Sequence, residues 1–274
     1  MGYDSYMVYN DRDTGDDCVY AEKYTYLKRA NHIEDSHRNL LFIPESFHIP
    51  EVLQKYNVQQ IQLVVSWLSL DYGIARLNTH FEYPHMIHVF QSEYARTRVV
   101  EEARQRNLHI KCFDIYDYTH DDYVQYLYMN EEMPVKMNCV AYNPKKDTIT
   151  QRICQMHMIP TIPLENMSQQ QVIETLKKCK VYVDCGNHPG RDRIPREAAA
   201  VGCIVITNTQ GSAGVWNDVP IHQKVSTHAE LVQTIKHAFE NYKLDYDSQK
   251  EFREGIKNEK KQLEQQFRTL LESL

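Results

Sequence analysis

Residues 181–214 read VYVDCGNHPGRDRIPREAAAVGCIVITNTQGSAG. The stretch predicts a short buried strand over 181–184, then a loop holding Gly186, His188, Gly190, Arg191 and Arg193. A small-residue helix over 195–201 and a second strand over 203–207 follow, and a small-residue loop at 211–214 closes the unit. Two glycine-bearing loops then lie at the C-terminal ends of neighbouring strands, one of them feeding a helix N-terminus. Open α/β sheets bind anions there, because free backbone N–H groups and the helix dipole point at that spot. Arg191 and Arg193 add fork-shaped, permanently charged groups suited to phosphate.

Outward from this unit, apolar runs alternate with helical patterns, the signature of an α/β architecture with mainly parallel strands. In the first half, strands are expected at 6–9, 40–43, 61–67, 86–90 and 110–113, with a helix or irregular arm over 20–29. Pro50 opens a short helix over 51–56, and Ser92 caps a charged helix running to about Asn107. Residues 116–133 are rich in Tyr and Asp with a weak helical pattern, and together with Pro134 they are the expected linker. The second half restarts with a strand at 138–142, a helix over 148–157 and an extended MIPTIPL segment. A helix capped by Ser168 then runs to Cys179, ahead of the 181–214 unit. Helices over 228–242 and 248–274 close the chain, and the charge run of the last reads as a solvated face. The fold class is therefore α/β, with two Rossmann-like domains facing a cleft. Their expected spans are 1–125 on the acceptor side and 126–274, carrying the long C-terminal helix, on the donor side.

Composition excludes several classes. The chain has 274 residues, a net charge of -6 and 42% apolar residues, enough for two cores. With pI near 6.1 and a mean hydropathy of -0.60, it resembles neither a basic nucleic-acid binder nor an integral membrane protein. No run approaches the ~20 apolar residues a spanning helix requires. Residues 1–20 carry Asp11, Asp13, Asp16 and Asp17 and no signal-peptide pattern. The seven cysteines are scattered without a CxxC pair, which favours free thiols in a reducing compartment and a cytoplasmic protein. No GxGxxG opens a helix, which disfavours a dinucleotide oxidoreductase.

Several segments together resemble one family. They are GYDSYMVY (2–9), FIPE (42–45), WLSLD (67–71), QSEYA (91–95), YNPKK (142–146), IPLENM (162–167), HPGRDRIPREAA (188–199) and GSAG with DVPI (211–221). On these the sequence is similar to glycosyltransferase-like proteins of the GT-B architecture associated with polysaccharide biosynthesis. The resemblance implies a nucleotide-diphosphate-sugar donor bound by the C-terminal domain and a glycan or saccharide acceptor bound by the N-terminal one. It implies no permanently bound cofactor, no required metal and no nucleic-acid partner, and a homo-oligomer stays open. Two departures accompany it. Glu197, in Glu-Ala-Ala-Ala-Val-Gly, fits the second of two glutamates that retaining members space eight apart, but Pro189 stands at the first position. The architecture also places a strand and a glycine-bearing loop ahead of Met1-Gly2-Tyr3, so the N-terminal sheet is expected to lack its first strand.

Candidate site residues follow. Arg191 and Arg193 are the expected diphosphate ligands, against surface pairing with Asp192 or Asp184. Glu197 is expected to accept bonds from ribose hydroxyls, against simple dipole stabilisation at a helix start. Lys145 and Lys146 follow a strand on the same rim and are placed to reach a diphosphate. Gly211, Ser212 and Ala213 form a possible anion nest. Glu165 and Asn166 end the extended segment where a base would be read. Of Glu45, Ser69, Asp71, Gln91 and Ser92 on the opposite rim, Asp71 is the expected catalytic base for an acceptor hydroxyl. His188, inside the phosphate loop, is the third catalytic candidate. His80, His85 and His88 complete no familiar metal spacing, and no metal site is expected. A nucleotide-sugar epimerase or hydrolase, and a non-catalytic binding protein, remain as alternatives.

Overall fold

The computed structural model describes residues 4–8, 28–129 and 135–274. Its first half is built on four strands, β1 (Leu40–Pro44), β2 (Gln62–Trp67), β3 (Ile87–Phe90) and β4 (Lys111–Asp114). All pair in parallel, in the order β1-β2-β3-β4, with Val65 opposite His88 and Val89 opposite Phe113. Helix α1 (Ile49–Tyr56) has proline in its first turn and a left-handed cap at Asn57 (φ 50°). Short helices α2 (Leu70–Gly73) and α3 (Leu77–Phe81), with a 3-10 turn between them, follow β2, where the sequence reading assigned no element. Helix α4 (Glu93–Gln105) starts as expected, with the Ser92 hydroxyl accepting from the Ala95 amide. Of the expected strand at 6–9, residues 6–8 are described, and Met7 there forms an isolated parallel bridge with Arg29. Residues 9–27, including most of the expected arm, lie outside the described residues.

Trp67, fully buried, organises the first core. Its indole N–H donates to His88 Nδ1 at 3.1 Å, and its ring stacks with His88 and Phe90 and meets His80 edge-on. Both histidines are thus packing residues, while His85 is exposed. His80 gives Nε2–H to the Glu45 carbonyl. Every connection in this sheet steps in the same direction, so among the described residues it has no reversal of strand order.

The second half contains β5 (Met137–Tyr142), β6 (Thr161–Pro163), β7 (Cys179–Asp184) and β8 (Ile204–Thr207), all parallel, in the order β6-β5-β7-β8. Here the order does reverse, between β5 and β7, and the crevice at the C-terminal ends of those strands is where ligands bind in open α/β sheets. Helix α5 (Asp121–Met129) lies within the expected linker and places Tyr123 in the second core, so the division expected between residues 125 and 126 falls inside this helix. Helices α6 (Thr150–Met156), α7 (Gln169–Lys178), α8 (Arg193–Ala200) and α9 (His228–Glu240) cover the sheet. Capping boxes at Ser168/Gln171 and Thr227/Glu230 start α7 and α9. The helix expected over 228–242 stops at Asn241, and α10 (Tyr242–Ser248) follows.

The last helix, α11 (Lys250–Glu272), turns most of its charges to solvent as expected, with Arg253 and Glu259 the buried exceptions. Phe252 and Ile256 are buried in the second core, whereas Leu270 is buried against Val64, Ile87 and Val89 of the first sheet. Near that end Gln266 accepts from the Tyr116 amide, Phe267 meets Phe42 at 6.0 Å, and Lys111 donates to the Ser273 carbonyl. One helix therefore packs on both sheets. Each fully buried apolar side chain of this size contributes about 1.5–3 kcal/mol. Among the described residues no helix is long and apolar enough to cross a membrane.

Candidate active site

The rim of the first sheet is shaped by Glu45, at the end of β1. Its buried carboxylate accepts from the amides of Leu68 and Ser69 at 3.1 and 3.0 Å, fixing the loop after β2 and the entry to α2. Burial raises its pKa, and the two amides oppose that shift. Glu45 is thus a loop-holding residue, a role that its position after a strand left open. Ser92 is likewise a helix cap.

The facing rim is the loop between β7 and α8. Asp184, His188 and Asp192 converge on one another, and Lys146, from the loop after β5, inserts its ammonium among them. His188 Nδ1 lies 2.7 Å from Asp192, and its Nε2 lies 3.1 Å from the Asp184 carbonyl. The carboxylates diverge electrostatically. Burial keeps Asp184 above the usual range despite His188 and Lys146, whereas at Asp192 the His188 hydrogen bond and the Lys146 charge outweigh burial and lower it. The trio has metal-ligand spacing, and the lysine already supplies positive charge to it.

The two rims touch. The Leu70 amide donates to the Pro189 carbonyl at 2.8 Å, and Asn187 donates to the Asp71 carboxylate at 2.6 Å. A Cβ on Gly190 would sit 2.0 Å from the Leu68 carbonyl oxygen, so only glycine allows this approach. Farther along, Asp218 accepts from the first amides of α4, Glu93 N at 2.7 Å and Tyr94 N at 2.9 Å. A carboxylate of the second half thus caps a helix of the first. Behind the loop between β7 and α8, Gly211 (φ 56°) lies against the His188 carbonyl, and Ser212 donates its amide to His188 and its hydroxyl to Gly190. Ser212, the centre of the expected anion nest, therefore spends its donors bracing one loop against the other, and Ala213 is buried.

A cavity of about 450 Å³ lies between the rims, lined by Leu68, Ser69, Tyr72, Gln91 and Asp117 on one side. On the other stand Lys146 and residues 187 and 189–193. Of the expected ligands it brings together Lys146, Arg191 and Arg193. Lys145, Glu165, Asn166, Asp71, Glu197, His188 and Gly211–Gly214 do not line it. Arg191 is already committed: its guanidinium pairs with Glu259 at 2.8 Å and lies over the Tyr116 ring. Burial and the neighbouring Arg196 lower its pKa. Arg196 lies wholly inside, bonded to Asp117 at 2.7 Å and to Glu259 at 3.1 Å. Arg193 differs. It is exposed, is the first residue of α8, and pairs with no described carboxylate. Asp192 makes no side-chain cap there, and Pro195 in the first turn has no N–H to satisfy. Glu197 lies one turn on, facing the Tyr123 phenol, with its pKa raised by burial against the pull of Arg193.

Two residues escaped the sequence reading. Glu259 carries Arg191, Arg196 and both the amide and the hydroxyl of Thr119. It was one charge among many on a charged helix, and only its place on the same helical face as Phe252 and Ile256, at i+7 and i+3 from them, hinted at burial. Asp117 sat in a Tyr- and Asp-rich stretch with no distinguishing pattern.

Comparison with known proteins bears on the fold. No family model matches the chain, and a search of curated proteins finds no sequence match. Solved structures do match. The UDP-forming α,α-trehalose-phosphate synthase of Burkholderia vietnamiensis aligns with TM-score 0.59 at 10% identity, over 88% of this chain and 73% of that one. The sucrose-phosphate synthase of Thermosynechococcus elongatus gives 0.57 at 13% identity, over 93% and 76%. A variant of S. aureus TarM, solved with fondaparinux, α-GlcNAc-glycerol and UDP, gives 0.62 at 11% identity. The alignment covers 92% of this chain and 57% of TarM, so the chain matches little more than half the length of that protein. The likeness establishes the GT-B fold of glycosyltransferases: two Rossmann-like domains facing a cleft.

Proposed function

We propose that the protein is a glycosyltransferase moving a sugar from a nucleotide-diphosphate donor to a hydroxyl of a saccharide acceptor. The observation that carries this reading is Arg193: a guanidinium without a carboxylate partner among the described residues, at the start of α8, in the cleft, at the reversal of strand order between β5 and β7. Such a place gathers positive potential from the helix N-terminus and from the side chain together. The UDP-forming trehalose-phosphate synthase and the UDP-bound TarM, both similar in fold, support the donor class.

In this reading the departing diphosphate lies against Arg193 and the first turn of α8, where negative charge builds up as the glycosidic bond breaks. Lys146 adds a second cation from the neighbouring loop, held in place by Asp184, His188 and Asp192. His188 then acts by orienting that lysine and Asp192. Glu197, one turn into α8, takes the ribose hydroxyls. Arg191 sets the shape of the loop through Glu259. Asp71, bonded to Asn187, holds the two rims together, and the cleft-lining carboxylate on the acceptor side is Asp117, one oxygen of which pairs with Arg196. The resemblance of residues 188–199 to polysaccharide-biosynthesis proteins supports a glycan acceptor.

Replacing Arg193 by alanine removes a charge-assisted bond of about 1.5–3 kcal/mol, so nucleotide-sugar affinity should fall roughly tenfold or more. Titration calorimetry against UDP-, GDP-, ADP-, CMP- and dTDP-sugars measures it. Equal affinity of wild type and Arg193→Ala for the bound donor would remove the diphosphate assignment.

A further inference from the structure

We infer that the acceptor carries an apolar aglycone, alkyl or aryl, and that this group fills a second cavity opening from the donor cleft. The inference rests on the glycosyl-transfer reading and names the substrate class of the same site. The second cavity measures about 340 Å³, within the range of small-molecule pockets, about 300–1,000 Å³. Its walls are Phe42, Val89 and Ile115 from the first half and Leu263 and Phe267 from α11. It shares Leu68, Gln91, Asp117 and Arg193 with the donor cleft, so the two spaces adjoin along these four residues.

The chemistry is graded along this space. At the shared end stand the Arg193 guanidinium, the Gln91 amide and the Asp117 carboxylate. Asp117 binds Arg196 through Oδ1, and its second oxygen has no hydrogen-bond partner among the described residues. At the far end the lining is aromatic and aliphatic. Phe42 is 39% exposed and Leu68 48%, apolar surface that an occupant would take out of water. A sugar without an aglycone buries less apolar surface at that end than an alkyl or aryl group would, and a purely apolar molecule leaves the charged end unsatisfied. A saccharide whose hydroxyl bonds to Asp117 and Gln91 and whose aglycone lies between Phe42 and Leu263 satisfies both. The concave, charged-mouthed shape and its opening into the cleft fit a small amphipathic molecule rather than a protein partner.

The test is titration of full-length protein with methyl, phenyl and n-octyl β-D-glucopyranoside, each below its micelle concentration, beside a nucleotide-sugar titration. Phenyl or octyl glucoside should bind at least roughly tenfold tighter than the methyl compound, and the stronger of the two identifies an aryl or an alkyl aglycone. Leu263→Glu, from one wall, and Phe42→Gln, from the other, should each abolish the preference and leave nucleotide-sugar affinity unchanged. Circular dichroism checks the fold of both, so loss of one variant leaves the other to decide. Equal affinity for the three glycosides, or a preference that survives in both variants, overturns the inference. Nucleotide-sugar binding without any aglycone preference overturns it alone. A preference in a protein that binds no nucleotide sugar upholds the apolar subsite and sinks the transfer reading instead.

Discussion

Removing the carboxylate of Glu259 should destabilise the whole molecule, and the structure sets the size of the effect. Its Oε1 accepts from Arg191 at 2.8 Å, and its Oε2 accepts from Arg196 at 3.1 Å and from the Thr119 amide and hydroxyl at 2.7 and 2.8 Å. All of these groups are wholly or largely buried. Glu259→Leu therefore strands two guanidinium groups and two neutral donors at once. Arg196 keeps Asp117 as a partner, but Arg191 keeps only a long contact to the Asp117 carbonyl, at 3.5 Å. Breaking a buried pair from one side costs about 3–5 kcal/mol, and the partial compensation at Arg196 favours the lower end, about 3 kcal/mol. At about 2–4 °C per kcal/mol for chains of this order of size, the melting temperature should fall by roughly 6–12 °C. Calorimetry and urea unfolding of wild type, Glu259→Leu, Arg196→Met and the double variant give the coupling directly. The double variant should recover part of the loss, because an apolar replacement of both partners leaves one fewer buried charge unpaired. A cost for Glu259→Leu below about 1 kcal/mol, the value of an exposed surface pair, would refute the claim that this carboxylate joins the halves.

Other consequences can be measured independently. Burial, reinforced by the nearby His80, pushes the His88 imidazole down to about 3, so the folded protein holds it neutral where an unfolded histidine would be charged. Stability from this group is present above about pH 6.5 and is lost as the pH falls from there towards 3, giving about 2 kcal/mol between pH 7 and pH 5. Glu45, Asp184 and Asp218 are raised and titrate in the opposite sense, so the comparison is of slopes. His88→Gln, which keeps an acceptor for Trp67, should flatten the pH dependence of the urea midpoint, and an unchanged slope would contradict the assignment. Gly190→Ala should part the two rims, since its Cβ would collide with the Leu68 carbonyl. Hydrogen exchange at the Leu70 amide, bonded to Pro189, should then accelerate by at least roughly tenfold while β2 and β7 keep their protection. Retained protection at Leu70 would mean that the rims do not depend on this contact.

Much of the fold was legible because its signals are local. The strands at 62–67 and 179–184 announce themselves as apolar runs, and Ser92, Ser168 and Thr227 cap their helices through neighbours three residues away. The unit of strand, loop and helix around residues 181–201 is readable for the same reason. Helices α2 and α3 were missed because they are short, and their start is held by Glu45 rather than by a cap of their own. The site was read only in part. Lys146, Arg191 and Arg193 do meet in the cleft, but sequence position alone could not distinguish the paired Arg191 from the free Arg193.

The sequence by itself determined that two parallel α/β units stand in one chain, that glycine-bearing loops cap the strand ends of the second, and that arginines crowd its phosphate-type loop. Periodicity, capping and turn chemistry act over a few residues, so they are written where they act. Only the tertiary structure decided which arginine is free, because Glu259 meets Arg191 across 68 positions and Thr119 across 140. It also decided that α11 covers both sheets and that the strand order reverses in the second sheet and not, among the described residues, in the first. Such pairings are settled by which surfaces can be buried together once the chain has closed on itself, and nothing local in the residues encodes that choice.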